Sequence, residues 1–408
     1  MESFVIKGGK SLNGEVLVSG SKNAALPLIF ASVATGGVSS ISCVPDISDV
    51  CVALDIISEF GAEITRANGT VVIDTRNLHY AEPSEELVGR IRASSYLLGA
   101  SLARFGKAKI YNFGGCNFES RPIDMHLFAI RELGGEISED RIKVESLVGA
   151  DIHFDKASVG ATINAAILAS AALGVSRIYG YAKEPHVFSL LRFLSASGVR
   201  IRRCRDFLEI EGTPYKSAKC SVIPDMIEAA TFISASLITE SELLVRGADI
   251  KHLESFISVM TASGARFSFT DKGICTHGKI SKPINVVTAP YPDFPTDMQP
   301  LTAPLMAAFS GGSIREQVWR GRFGYLEELK KLGLCFQRSG ESAFISPSSL
   351  LPGTADSPDL RGGAALILAA LRADGESIVN SAHIIKRGYE NIVEKLSSLG
   401  ADIKERNT

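Results

Sequence analysis

The sequence repeats itself six times, and that constrains the fold more than any other feature. In each copy a helical segment ends at a small residue and a glycine and is followed by runs of strand character. The copies read SEFGAEITRANGTVVID, RELGGEISEDRIKVE, SASGVRIRRCRDFLEIEG, TASGARFSFTDKGICTHG, KKLGLCFQRSGESAFIS and SSLGADIKER. The glycines are Gly61, Gly134, Gly198, Gly264, Gly333 and Gly400, spaced 64–73 residues apart. A glycine just past the last helical turn is the expected left-handed cap, and it lets the chain turn straight back into a strand. A fixed period of this length marks a chain built from repeated supersecondary units.

A second signature interleaves with the first. It comprises SKNAALPLIFASVATGG, RASSYLLGASLARFGK, SVGATINAAILASAALG, PDMIEAATFISASLITE, PTDMQPLTAPLMAAFSGG and DLRGGAALILAALRADG. These helices are apolar on nearly every face, which implies burial all round. Each repeat therefore holds one buried helix, one amphipathic helix and about four strands, and six copies of about 68 residues account for all 408 residues. The pattern predicts an α/β protein with helices inside and sheets outside, arranged as two lobes of three repeats. The first strands, SFVIKGG and GEVLVSG, are expected to complete the lobe formed by the last repeats. The lobes are then 21–222, and 1–20 plus 223–408, with chain crossings near 20 and 223 and a cleft between them.

Composition narrows the function classes. With 43 Lys+Arg against 45 Asp+Glu the net charge is −2, which gives no overall attraction to nucleic acid or anionic membrane, so any anion site must come from local clusters. The start MESFVIKGGK meets Glu2 and Lys7 before any long apolar run. The longest apolar stretches, near 24–35, 161–175 and 362–372, break before the ~18 residues of a membrane span. A cytoplasmic protein is expected. The seven cysteines, at 43, 51, 116, 204, 220, 275 and 335, contain no CxxC pair and predict neither a disulfide framework nor a zinc ribbon. The histidines do not fall at ligand spacing, so neither metal nor cofactor is expected. GGKS at 8–11 lacks the P-loop glycine and there is no GxGxxG, which disfavours ATP-dependent and nicotinamide chemistry.

The starts of the buried helices carry the chemistry. A helix N-terminus offers free N–H groups and a positive dipole end to an anion. Lys22-Asn23 opens the first buried helix, Arg92-Ala93-Ser94 the second, Ser158-Val159-Gly160 the third, Asp297 the fifth and Arg361 the sixth. Any one alone reads as an ordinary exposed cap; five at symmetry-related positions point to one site. Arg92, Arg121, Arg322, Arg361 and Arg387 add guanidinium forks suited to phosphate or carboxylate. The expected ligand is small and multiply anionic. Cys116 stands apart from the other thiols in NFGGCNFESRPIDMH, where glycines loosen the backbone and Arg121 favours the thiolate.

With these residues in view, the chain resembles the enolpyruvyl transferase family over nearly its full length. The resemblance rests on SGSKNAALPL, RASSYLLG, GGCNFESRPIDMHL, DKASVGAT, FPTDMQ, GRFGYLEELKKLG and KRGYE. It implies an inside-out α/β barrel duplicated as two domains, each of three βαβαββ-type repeats. It also implies the reaction of the branch acting on UDP-N-acetylglucosamine, the first committed step toward peptidoglycan. There phosphoenolpyruvate gives its enolpyruvyl group to the sugar 3-hydroxyl and phosphate leaves.

Carried over position by position, the resemblance implies that Lys22 binds phosphoenolpyruvate. Arg121 and Arg387 hold its phosphate or carboxylate, alongside Arg92 and Arg361. Asp297 accepts the hydroxyl proton, with Asn23 and Thr296 near the sugar. Cys116 is the lid-loop thiol that fosfomycin alkylates. Arg121, Pro122, Ile123, Asp124, Met125 and His126 cradle uracil, while Lys156, Ser158, Val159 and Gly160 take the diphosphate and Arg322 contributes to the cleft. The chain departs from the family pattern at Met226 (usually Arg), His186 (usually Glu), Arg320-Gly321 (usually Glu-Asn) and Phe118-Glu119-Ser120 in the lid. These departures leave open a second acceptor, another uridine nucleotide such as UMP in a nucleoside-antibiotic pathway.

Overall fold

Each of the six signature glycines has a positive φ, between 88° and 107°, in the left-handed region that a Cβ disfavours. The computed structural model describes residues 2–407 apart from 115–121, 214 and 278. Beyond each glycine the chain turns into one of six small mixed sheets. Five of these have four strands and one has three among the described residues.

The third repeat shows the plan. Strand Asp151–His153 leads into the buried helix Val159–Ala171, and strand Val175–Tyr179 returns parallel to the first. The amphipathic helix Pro185–Ala196 follows, then Arg200–Arg203 and Phe207–Glu211 fold back antiparallel. Register sets Ile178 opposite both Ile152 and Leu208, and all three are fully buried. This period-2 row is the inner face of the sheet.

Three sheets are completed by strands remote in sequence. Asn13–Leu17 pairs parallel with Glu242–Arg246, Ala218–Ser221 pairs parallel with Val38–Ser42, and Glu2–Lys7 lies between Glu376–Asn380 and Asp402–Asn407. The N-terminal strands thus complete the sheets of the fourth and sixth repeats. The second repeat differs from the expected four strands: Lys107–Lys109, Arg141–Lys143 and Glu136–Ser138 form its whole described sheet. The stretch that would supply a fourth strand, residues 77–84, is irregular. It contains Pro83, which has no N–H to give to a ladder.

The described residues divide into two compact units, 20–114 with 122–223, and 2–19 with 224–407. In the first, the buried helices Lys22–Thr35, Leu97–Phe105 and Val159–Ala171 pack on one another; in the second, Met226–Ile238, Gln299–Ala308 and Leu360–Arg372 do so. Every residue from Ala24 to Thr35 is buried, so the apolar-all-round pattern has its cause in a helix enclosed by other elements. At the passages between units, the Ser21 N–H donates to the Ile223 carbonyl at 2.7 Å, and the Asp225 N–H to the Ser19 carbonyl at 2.9 Å. Buried Glu228 anchors the second passage by accepting from the Ser19 N–H at 2.7 Å and from Lys395 Nζ at 2.6 Å. Among the described residues no helix is long and apolar enough to cross a membrane.

Candidate active site

In the unit of residues 20–114 and 122–223, basic side chains stand at helix starts. Lys22 is the first residue of its helix, and its Nζ lies 3.2 Å from Asp49 Oδ2 at the start of helix Ser48–Ser58. Both side chains are largely buried, which holds the ammonium at the helix start beside half-buried Asn23. The second buried helix opens differently from expectation. Arg92 begins a 3₁₀ turn, Arg92–Tyr96, before the α-helix starts at Leu97. Arg92 Nη2 reaches the Pro122 carbonyl at 3.5 Å.

His126 is locked against the third helix start. Asn164 Oδ1 accepts the Gly99 N–H at 2.8 Å and its Nδ2 donates to the Ser95 carbonyl at 3.0 Å. The amide orientation is thereby fixed, and its second N–H faces His126 Nδ1 at 2.7 Å. Nδ1 must accept, so the imidazole is neutral with its proton on Nε2. Burial, reinforced by the Arg92 charge and opposed by Asp124, pulls its pKa down to about 4. The ring lies on Gly160: a Cβ there would sit 2.8 Å from both Cε1 and Nε2 of His126. Ser158 caps this helix by accepting the Ala161 N–H at 3.3 Å. Lys156, Pro122 and Asp124 are exposed, and Ile123, Met125, Val159 and Gly160 half-buried.

The other unit carries an acid held between arginines. Asp297 lies two residues ahead of helix Gln299–Ala308, not at its first residue as expected, because Met298 is the cap. Arg322 Nη1 lies 2.6 Å from Asp297 Oδ1 and Arg361 Nε 3.5 Å from Oδ2. Burial works against the charge on Arg322, but Asp297 and then Asp359 outweigh it and raise its pKa. Asp359 caps helix Leu360–Arg372 through the Arg361 and Gly362 N–H groups, at 3.0 and 3.1 Å. Arg361 is 1 % exposed, the Tyr389 ring lies 5.3 Å from its Cζ, and its Nη1 and Nη2 have no hydrogen-bonded partner among the described residues. A buried fork of this kind is matched to an anionic ligand.

Thr296, Asp297, Arg322 and Arg361 are thus brought together, as are Arg92, Pro122, Asp124, His126 and Gly160. Arg387 ends the short helix Ala382–Lys386, two residues before Tyr389. Cys116 and Arg121, with Phe118, Glu119 and Ser120, lie outside the described residues. Of the departures, His186 is buried near the start of helix Pro185–Ala196, Met226 packs on the core at a helix start, and Arg320 is an exposed partner of Glu341 at 2.9 Å. Sequence reasoning missed Asp49, Asn164 and Asp359. Only Asp359 carried a local signal, an Asp ahead of an apolar helical run.

The sequence profile of the family described as EPSP synthase (3-phosphoshikimate 1-carboxyvinyltransferase) matches residues 6–396. The chain is 39% identical to a UDP-N-acetylglucosamine 1-carboxyvinyltransferase of Halothermothrix orenii, over 99% of this chain and 100% of that one. It is 41% identical to UDP-N-acetylglucosamine 1-carboxyvinyltransferase 3 of Caldanaerobacter subterraneus subsp. tengcongensis, over 99% of each. The enolpyruvyl transferase NikO from Streptomyces tendae has a similar structure, with a TM-score of 0.89 at 26% identity over 100% of this chain and 99% of that one. An EPSP synthase from Acinetobacter baumannii shares the fold, with a TM-score of 0.75 at 18% identity over the whole of both chains. With a family match spanning almost the whole sequence and full-length relatives near 40% identity, the chain belongs to the EPSP synthase family and is an enolpyruvyl (carboxyvinyl) transferase.

Proposed function

We propose that the protein transfers the enolpyruvyl group of phosphoenolpyruvate to the 3-hydroxyl of UDP-N-acetylglucosamine, releasing phosphate, as a cytoplasmic step toward peptidoglycan. The observation that carries this reading is Asp297 gripped by Arg322 at 2.6 Å and faced by Arg361, in a chain whose relatives near 40% identity bear that enzyme name over their full length. In this reading the two units are three-repeat inside-out α/β barrels. The sugar hydroxyl oxygen attacks C2 of phosphoenolpyruvate, its proton passes to Asp297, and C3 gains a proton. The tetrahedral ketal then loses a proton from C3 together with phosphate, which restores the double bond. Lys22, Arg92, Arg121, Arg361 and Arg387 hold the phosphate and carboxylate, so charge is met by fixed cations rather than by water. Asn23 and Thr296 orient the sugar, residues 121–126 take uracil, and Lys156 with the Ser158–Gly160 helix start takes the diphosphate. Cys116 is the lid thiol and the fosfomycin target.

A second reading keeps the chemistry and changes the acceptor to another uridine nucleotide. The residues at His186, Met226 and Arg320-Gly321 favour it; the identity near 40% to UDP-N-acetylglucosamine enzymes weighs against it. Proton NMR of the product tests the choice. The proposed reading requires vinyl protons on an ether at the sugar 3-oxygen, and an intact sugar nucleotide after prolonged incubation would refute it.

A further inference from the structure

Glu316 is fully buried just past strand Gly312–Arg315, and its carboxylate accepts four hydrogen bonds. Oε1 takes the Thr288 hydroxyl at 2.7 Å and the Val318 and Trp319 N–H groups, both at 2.9 Å; Oε2 takes the Thr296 hydroxyl at 2.9 Å. Thr288 Oγ1 in turn accepts the Gln317 N–H at 2.9 Å. Arg322 closes the ring by donating from Nη1 to Thr296 Oγ1 at 3.3 Å and to Asp297 Oδ1 at 2.6 Å. Three segments therefore meet on one carboxylate: the end of strand Ile284–Val287, the turn delivering Arg322, and the Thr296-Asp297 pair.

The polarity of this chain is fixed. A guanidinium only donates and a carboxylate only accepts, so the single Thr296 hydroxyl hydrogen points to Glu316 and its lone pair to Arg322. Asp297 faces Arg322 through Oδ1 and Arg361 through Oδ2. We infer that Glu316 is a positioning residue for enolpyruvyl transfer: through Thr296 and the 316–322 turn it sets the places of Asp297 and Arg322. The inference rests on the assignment of Asp297 as the proton acceptor.

Glu316→Gln tests it. The glutamine oxygen can keep the Thr288, Val318 and Trp319 bonds, while its NH₂ meets Thr296 Oγ1 as a second donor beside Arg322 and the Thr296 hydroxyl loses its acceptor. The expected result is a fall in kcat of about 100-fold, the scale of a misplaced catalytic group, with both KM values within about threefold. Adding Thr296→Val to Glu316→Gln should bring little further loss, because the two changes break the same link. Thr288→Val, which removes the bond to Glu316 Oε1 and the one from the Gln317 N–H, both away from Thr296, is expected to lower Tm and leave kcat within about twofold. Wild-type kcat in Glu316→Gln, or parallel losses of Tm and kcat in Glu316→Gln and Thr288→Val, would overturn the inference. Should Glu316→Gln not fold, Thr296→Val and Thr296→Ser decide: loss in the first with recovery in the second supports the link, and equal kcat in both refutes it. The wild-type assay across acceptors separately tests the functional reading, since each variant is compared with wild type on whichever acceptor turns over.

Discussion

Arg322 Nη1 lies 2.6 Å from Asp297 Oδ1, while Nη2 of the same guanidinium lies 3.8 Å from Asp359 Oδ1. One buried arginine thus ties the acid to the cap of the neighbouring core helix. Asp297→Asn keeps the shape and removes the proton acceptor. Turnover is expected to fall on the order of 10²–10⁴-fold with nucleotide affinity little changed. Steady-state kinetics beside calorimetric titration measures this, and an Asn variant with full kcat would take Asp297 out of that role.

Gly160 is where the helix start and His126 touch. Because a Cβ would come within 2.8 Å of the ring and Asn164 keeps the ring from yielding, Gly160→Ala is expected to cost about 1–3 kcal/mol of stability. Combining it with His126→Ala should recover most of that loss by making room. Additive losses in chemical denaturation would mean that the contact is not the cause.

His126 also predicts a pH dependence. Its pKa falls from 6.5 in the unfolded chain to about 4, chiefly through burial. Its contribution to stability is therefore full above pH 6.5 and is lost as pH falls through 4. Glu228 runs the other way: burial pushes it up to about 7 against the pull of Lys395, so its contribution is present below 4.5 and lost as pH rises through 7. Comparing wild type with His126→Asn isolates the first effect. Their difference in unfolding free energy should shrink by on the order of 3 kcal/mol between pH 7 and pH 4, and a flat difference would contradict the buried neutral imidazole.

Cys116 lies outside the described residues, and the proposed function makes it the thiol that fosfomycin alkylates. Fosfomycin is expected to add once, at this thiol, and abolish turnover, while Cys116→Asp should turn over and resist. Intact-protein mass spectrometry checks the adduct; a modified Cys116→Asp chain would place the target elsewhere.

Much of this architecture is legible in the sequence because each repeat obeys local rules. The left-handed glycines and the helices apolar on every face need only neighbours in the chain to be read. Arg322, Arg361 and Asp297 stand out as charges at helix starts or in glycine turns. What escapes is non-local. Nothing near Asn13–Leu17 says that its partner strand begins at Glu242, because the whole of the other unit intervenes. Nothing in the sequence around Glu316 singles it out, and only the fold brings Thr288 and Thr296 to its two oxygens. Asn164 is likewise one polar residue in an apolar helix until Gly99, Ser95 and His126 surround it.

The central claim is tested most directly by phosphate release from phosphoenolpyruvate, measured with UDP-N-acetylglucosamine, UMP and shikimate 3-phosphate side by side. The account predicts turnover with UDP-N-acetylglucosamine alone. Turnover with UMP alone would contradict the proposed acceptor and assign the residues at His186 and Met226 to a redirected nucleotide site.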